Sequence, residues 1–303
     1  MGGSVRAVSA ELGMPLEELR DVVVRALDED LGGDPGRDVT TQATIGPEQS
    51  ATAQVVARAD GVVAGLAVWE LALADVARRL HLPTPAVALR TADGEAVSRG
   101  AVLAELKGRT QVLLVAERTG LNVISRMSGI ATHTRLWAEA LAGTGAQVLD
   151  TRKTTPGLRA LEKYAVRAGG GTNKRMGLYD VAMVKDNHKL AAGSLAAAYA
   201  AVRSRFPDVD VQVEVTTVGE AAEAVAAGAR FLLLDNMEPE LLRDVVAAVR
   251  RPGEDRVELE ATGGLTLARA REFGETGVDY LSVGALTHSS PVLDIALDLV
   301  PGT

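Results

Sequence analysis

Apolar residues Leu16, Leu19, Val22, Val23, Ala26 and Leu27 recur at helical spacing, which predicts a helix over residues 15–30. From residue 51 to 108 the apolar runs shorten to strand length, at 53–57, 61–63 and 102–106. Asp60-Gly61, Asp93-Gly94 and Arg99-Gly100 break them, so this stretch reads as a small α+β domain. A long helical pattern over 111–142 follows. Beyond residue 145 short apolar runs alternate with helical segments. The strand candidates are 147–149, 181–184, 209–215, 230–234, 256–259 and 280–283; the helices are 158–168, 194–206, 219–227, 239–250 and 267–276. Such alternation implies parallel βαβ units. Six strands suit a short or incomplete α/β barrel, although a doubly wound open sheet gives the same local signal.

Ionisable residues stand at nearly every strand end: Asp150 with Arg152 and Lys153, then Lys185, Glu214, Asp235, and Glu260 with Thr262, before Gly284. Strand carboxyl ends converge on one mouth in a barrel, and active sites are built there. Two segments suit phosphate. Thr262-Gly263-Gly264 precedes a helix expected to begin near Leu265 or Thr266, where backbone amides can approach an anion. Gly284-Ala285-Leu286-Thr287-His288-Ser289 follows the last strand, where barrels frequently hold a phosphate. The chain has no Walker A sequence and no glycine-rich dinucleotide fingerprint.

Composition narrows the chemistry. The chain of 303 residues carries a formal net charge of −8, and its length suits two domains. Residues 150–189 nevertheless hold nine Lys or Arg against four Asp or Glu, which suggests a site for a polyanionic small molecule. Of these cations Arg159, Lys163 and Arg167 recur every four residues and are expected on the solvated face of a helix. The absence of cysteine excludes thiol chemistry, and four histidines make a multi-histidine metal centre a poor fit. No apolar run reaches the length of a membrane span, and no signal pattern opens the chain, so a cytoplasmic protein is expected. Acidity with an aromatic share of 3% argues against a nucleic-acid surface.

Eight stretches then carry a resemblance covering nearly the whole chain: Asp38-Val-Thr-Thr, Glu117-Arg-Thr-Gly-Leu-Asn, Met127-Ser-Gly-Ile-Ala-Thr, Asp150-Thr-Arg-Lys-Thr-Thr-Pro-Gly, Gly169-Gly-Gly-Thr-Asn, Lys185-Asp-Asn-His, Leu234-Asp-Asn and Val283-Gly-Ala-Leu-Thr-His-Ser. In order and spacing the chain resembles the quinolinate phosphoribosyltransferases. The resemblance implies an N-terminal α/β sandwich over 1–126, an incomplete six-stranded parallel α/β barrel over 127–288, and a C-terminal helix over 289–303 packing back on the first domain. It also implies transfer of ribose 5-phosphate from phosphoribosyl pyrophosphate to the ring nitrogen of quinolinate, with loss of carbon dioxide to give nicotinate mononucleotide.

Residue by residue, the resemblance makes Lys153, Lys185, Glu214 and Asp235 catalytic. Thr151, Arg152, Lys153, Lys174, Arg175 and Lys185 would surround the acceptor, with Arg118 entering from the partner of a homodimer that leaves room for a higher oligomer. Thr262, Gly263, Gly264, Gly284 and His288 would hold phosphate. Glu214 and Asp235 would engage the ribose hydroxyls and Mg2+, directly or through water or substrate. The chain departs from the family at Lys174, where histidine is common, and in smaller ways at Thr262 and Thr216. A longer, fully charged side chain there is either tolerated in a cationic pocket or a sign of another heteroaromatic acceptor. A Schiff-base enzyme built on Lys185 and a non-catalytic ligand sensor are further readings of the same rim.

Overall fold

The computed structural model describes residues 13–250 and 256–301. Twelve strands lie among the described residues, in chain order β1 (Ser50–Ala57), β2 (Gly61–Val62), β3 (Ala86–Leu89), β4 (Ala96–Val97), β5 (Val102–Arg109), β6 (Gln147–Leu149), β7 (Val181–Val184), β8 (Asp210–Val215), β9 (Phe231–Asp235), β10 (Glu258–Thr262), β11 (Tyr280–Ser282) and β12 (Ile295–Leu299). The chain forms two compact units. One takes residues up to 135 together with 155–170 and 289 onward, the other 136–154 and 171–288.

The first unit holds an antiparallel sheet in the order β12-β1-β5-β3, and β2 pairs with β4. Val55, Val56 and Ala57 of β1 are buried, as are Leu103, Ala104 and Leu106 of the paired β5. The helix Val68–Leu80 buries Val68, Trp69, Ala72, Leu73, Val76 and Ala77, a helical stripe. Trp69 packs against Gly120 in the helix Thr110–Ala140, where a Cβ would come within 2.5 Å of the ring. Glycine is required at that crossing because any side chain would displace the indole.

Two sequence expectations fail in this unit. The helix expected within 289–303 is instead strand β12, running antiparallel to β1 with Leu297 opposite Val55. Ile295 is buried, and Asp298 pairs with Arg58 of the segment after β1 at 2.6 Å. The tail does return to the first unit, but by completing a sheet edge. Arg159, Lys163 and Arg167 do not share a solvated face either, since Lys163 is fully buried on the helix Arg159–Ala168 and the other two are half-buried. Its neighbour Glu162 is also buried; it accepts hydrogen bonds from Arg126 at 2.8 and 3.2 Å and from Thr155 through both backbone N–H and hydroxyl. This helix belongs to the first unit, so the domain division is not the single cut at 126/127 that the sequence suggested.

The second unit contains six parallel strands in the order β6-β11-β10-β9-β8-β7. Among the described residues no ladder joins β6 to β7, so the barrel is incomplete. Helices Leu195–Arg205, Val218–Ala226 and Pro239–Val249 connect successive strands. Ser194 and Thr217 begin the first two by accepting backbone N–H bonds at 3.0 and 3.1 Å, so each helix starts where an orphan donor finds a side-chain oxygen. The short helix Asp186–Ala192 is additional to the sequence expectation. Successive strand residues point to opposite faces. Val211, Val213 and Val215 therefore face one way while Gln212 and Glu214 face the other. Register places Glu214 opposite Leu233, Leu233 opposite Glu260, and Asp235 opposite Thr262, so these residues share the inner face.

Candidate active site

That inner face ends in a cavity of about 590 Å³, formed wholly by the second unit. Its size lies within the range of roughly 300–1,000 Å³ usual for small-molecule sites. Five cations line it: Arg152 and Lys153 after β6, Lys174 and Arg175 before β7, and Lys185 just after β7. Asp235 at the end of β9 and Glu260 in β10 supply carboxylates.

Two buried groups hold the cation-bearing loops together. Asp150 accepts from the Lys174 backbone N–H at 2.8 Å and from Asn173 Nδ2 at 2.6 Å, joining the segment after β6 to the one before β7. Thr287 Oγ1 donates to the Lys153 carbonyl at 2.8 Å, tying that first segment to the turn after β11. Arg175 donates to the Val181 carbonyl at 2.9 Å; burial and the nearby Arg152 push its pKa below the usual guanidinium range. Lys185 Nζ lies 2.6 Å from Glu214 Oε2, and its backbone N–H donates to His188 Nδ1 at 3.0 Å.

The glycine turns also meet here. Gly263 and Gly264 have φ of 89° and 62°, and a Cβ on Gly263 would lie 2.1 Å from Asn236 Oδ1. Only glycine permits that conformation and that approach. Asn236 is itself left-handed, at φ 53°, and its N–H donates to the Thr262 carbonyl at 2.9 Å. The helix expected at Leu265 or Thr266 begins later, as a 3-10 turn Leu267–Arg269 leading into Ala270–Gly274. The backbone that borders the cavity there is therefore that of the turn rather than of a long helix. Gly284 lies close to Lys153 and to His288, since a Cβ there would be 3.0 Å from Lys153 Cδ and 3.1 Å from His288 Nε2.

Most of the residues expected from sequence come together. Thr151, Arg152, Lys153, Lys174, Arg175, Lys185, Asp235, Thr262, Gly263, Gly264, Gly284 and His288 all line the cavity. Glu214 stands behind it, through Lys185. Arg118 belongs to the first unit, exposed on the helix Thr110–Ala140, and is not one of the cavity residues. Glu260, read from sequence only as one of the strand-end residues, and Asn236, read only within the Leu234-Asp-Asn stretch, also line the cavity, although neither was assigned a role. Lys174 is present, but its ammonium is engaged by Glu260 at 2.5 Å.

Parallel strands that deliver five cations and two carboxylates to one cavity beside glycine turns define an α/β-barrel enzyme for polyanionic small molecules. The sequence patterns of two domains match this chain: the quinolinate phosphoribosyl transferase N-terminal domain over residues 38–128 and its C-terminal domain over 130–298. The chain belongs to the quinolinate phosphoribosyl transferase family. It is 45% identical over 280 residues to the nicotinate-nucleotide pyrophosphorylase [carboxylating] of Mycobacterium leprae, covering 92% of this chain and 96% of that one. A probable enzyme of the same name from Bacillus subtilis is 43% identical over 267 residues, 86% of this chain and 88% of its own. Among solved structures, NadC from Streptococcus pyogenes superposes with a TM-score of 0.84 at 36% identity, covering 92% and 95% of the two chains. The nicotinate-nucleotide pyrophosphorylase of Francisella tularensis gives 0.82 at 33% identity, with 93% and 97% covered.

Proposed function

We propose that this chain transfers the phosphoribosyl group of phosphoribosyl pyrophosphate to quinolinate and releases carbon dioxide and pyrophosphate, giving nicotinate mononucleotide for NAD biosynthesis. The observation that carries this reading is the convergence of Arg152, Lys153, Lys174, Arg175 and Lys185 on one cavity with Asp235 and two glycine turns. Quinolinate is a dianion with adjacent carboxylates, and guanidinium forks bind carboxylates in bidentate fashion. Arg152 and Arg175 take that part, with Thr151, Lys153, Lys174 and Lys185 around them. Thr262, Gly263 and Gly264 receive the donor's 5-phosphate with Gly284 and His288, through backbone amides, those of Gly263 and Gly264 in a left-handed turn, and an imidazole.

With both substrates held, the quinolinate ring nitrogen attacks the anomeric carbon as its bond to pyrophosphate breaks. Positive charge gathers on the ribose ring, where Asp235 and Glu214 stabilise it, while Lys153 and Lys185 balance the departing pyrophosphate. The nitrogen is then cationic. The carboxylate beside it leaves as carbon dioxide, its bonding pair stays on the ring carbon against that cationic nitrogen, and a proton completes the product. The protein's contribution is position and field.

Mg2+ suits this arrangement. The ion commonly takes one or two protein carboxylates and completes its shell with water and phosphate oxygens. No cluster of three or more metal-binding side chains occurs among the described residues; Asp235 on the cavity lining would supply one carboxylate, with Glu214 behind it through Lys185. Bound there, the ion would neutralise charge on the pyrophosphate. The protein acts as a homodimer in which the partner subunit's Arg118 completes the acceptor site; its exposure on the first unit leaves it available for that role. No described helix is long and apolar enough to cross a membrane, which is consistent with a cytoplasmic enzyme. Pyrophosphate release that requires quinolinate, is not replaced by nicotinate and stops on removal of Mg2+ tests the reading; release indifferent to the acceptor contradicts it.

A further inference from the structure

Glu260 lies in the interior of the sheet, between neighbours β9 and β11, and is fully buried while lining the cavity. Both of its oxygens are engaged. Oε1 accepts from Lys174 Nζ at 2.5 Å and Oε2 accepts from Gln212 Nε2 at 2.6 Å. Gln212 is itself buried, two strands away on the same inner face. Lys174 is thus fixed at both ends by buried carboxylates, its backbone N–H by Asp150 and its ammonium by Glu260.

This pinning has a physical reason. Lysine has a flexible stem and a strongly hydrated head, and it loses preferred orientation unless a partner holds it. Burial pushes the Lys174 ammonium below its usual range, Glu260 opposes that by charge and hydrogen bond, and the positive Arg175 and Lys185 push it down further. Without Glu260 the same ammonium would face like charges with its main counterion gone. A charged group fixed before substrate arrives does not have to be ordered during binding.

Resting on the reading that the cavity binds quinolinate, we propose that Glu260 is a positioning residue, held by Gln212, which fixes Lys174 as a preorganised cation for an acceptor carboxylate. The lysine and the buried glutamate then form one recognition unit, and acceptor affinity depends on both.

A double-mutant cycle tests this in the full-length protein, with Glu260→Gln, Lys174→Met and the pair assayed for nicotinate mononucleotide formation. Glu260→Gln is expected to raise the quinolinate KM by about 10-fold or more, because a buried charged hydrogen-bond partner is lost. The turnover number should change by less than about 3-fold, since the residue acts through ground-state binding, and the KM for phosphoribosyl pyrophosphate should stay unchanged. In the Lys174→Met background the same substitution should raise the quinolinate KM no further. A purely structural role would give the same loss in both backgrounds, because independent effects add. That additivity, or an unchanged quinolinate KM in Glu260→Gln alone, overturns the proposal. Glu260→Asp, which keeps the charge and withdraws it by one methylene, enters the same cycle if the glutamine variant does not fold. Wild-type protein that forms no nicotinate mononucleotide overturns the underlying reading and this inference with it.

Discussion

On the proposed reading, Arg152 carries a measurable share of acceptor binding. Arg152 follows β6 on the loop that Thr287 ties down through the Lys153 carbonyl, and it lines the cavity beside Arg175. Removing one partner of a desolvated charged pair costs about 2–5 kcal/mol. Arg152→Ala is therefore expected to weaken quinolinate binding by roughly 30-fold or more, a free-energy loss of about 2 kcal/mol at least. Titration calorimetry reads this directly, and unchanged quinolinate affinity would remove Arg152 from the acceptor site. At this scale the sequence was a good guide to position and a poor one to pairing. Cations and carboxylates could be read at strand ends, yet nothing in the spacing of Lys174 and Glu260, 86 positions apart, announces that they meet. Lys163 shows the opposite failure, because a helical charge spacing specifies a shared face but not which face is packed.

At the scale of elements, the barrel strands were legible because parallel strands buried on both faces read as short apolar runs between helices. All six appear within a few residues of where the pattern put them. The tail did not. Five residues, Ile295-Ala-Leu-Asp-Leu, are too few to separate strand from helix by period, and what decides is an open edge of β1 more than 230 positions away in sequence. The two-residue strand β4 and the helix Asp186–Ala192 are similarly set by pairing and by loop ends rather than by periodicity. If β12 is an integral part of the first unit, truncating its buried Ile295 to alanine should cost about 2–4 kcal/mol. Urea unfolding followed by circular dichroism measures this. A loss below about 0.5 kcal/mol, the usual size for an exposed position, would mean that the strand contributes little.

At the scale of the whole molecule, cavity residues and Arg118 belong to different units, and the proposed site takes Arg118 from a second copy. Shared sites make a distinctive prediction, because two defective chains can complement each other. Arg118→Ala and Lys185→Ala should each lose most activity alone. Mixed and allowed to exchange subunits, they should recover up to about a quarter of wild-type activity per site, from the mixed dimers in which one site draws intact residues from both chains. No recovery, with exchange verified by native mass spectrometry, would place Arg118 outside the acceptor site.

The account stands most directly on the coupling of ribosylation to decarboxylation within one cavity. Quinolinate carrying 13C in the carboxylate next to the ring nitrogen, supplied with phosphoribosyl pyrophosphate and Mg2+, should yield labelled carbon dioxide and unlabelled nicotinate mononucleotide in equal amounts. Both products should be absent when the phosphoribosyl donor is omitted. Labelled carbon dioxide without the donor, or a mononucleotide that keeps the label, would contradict it.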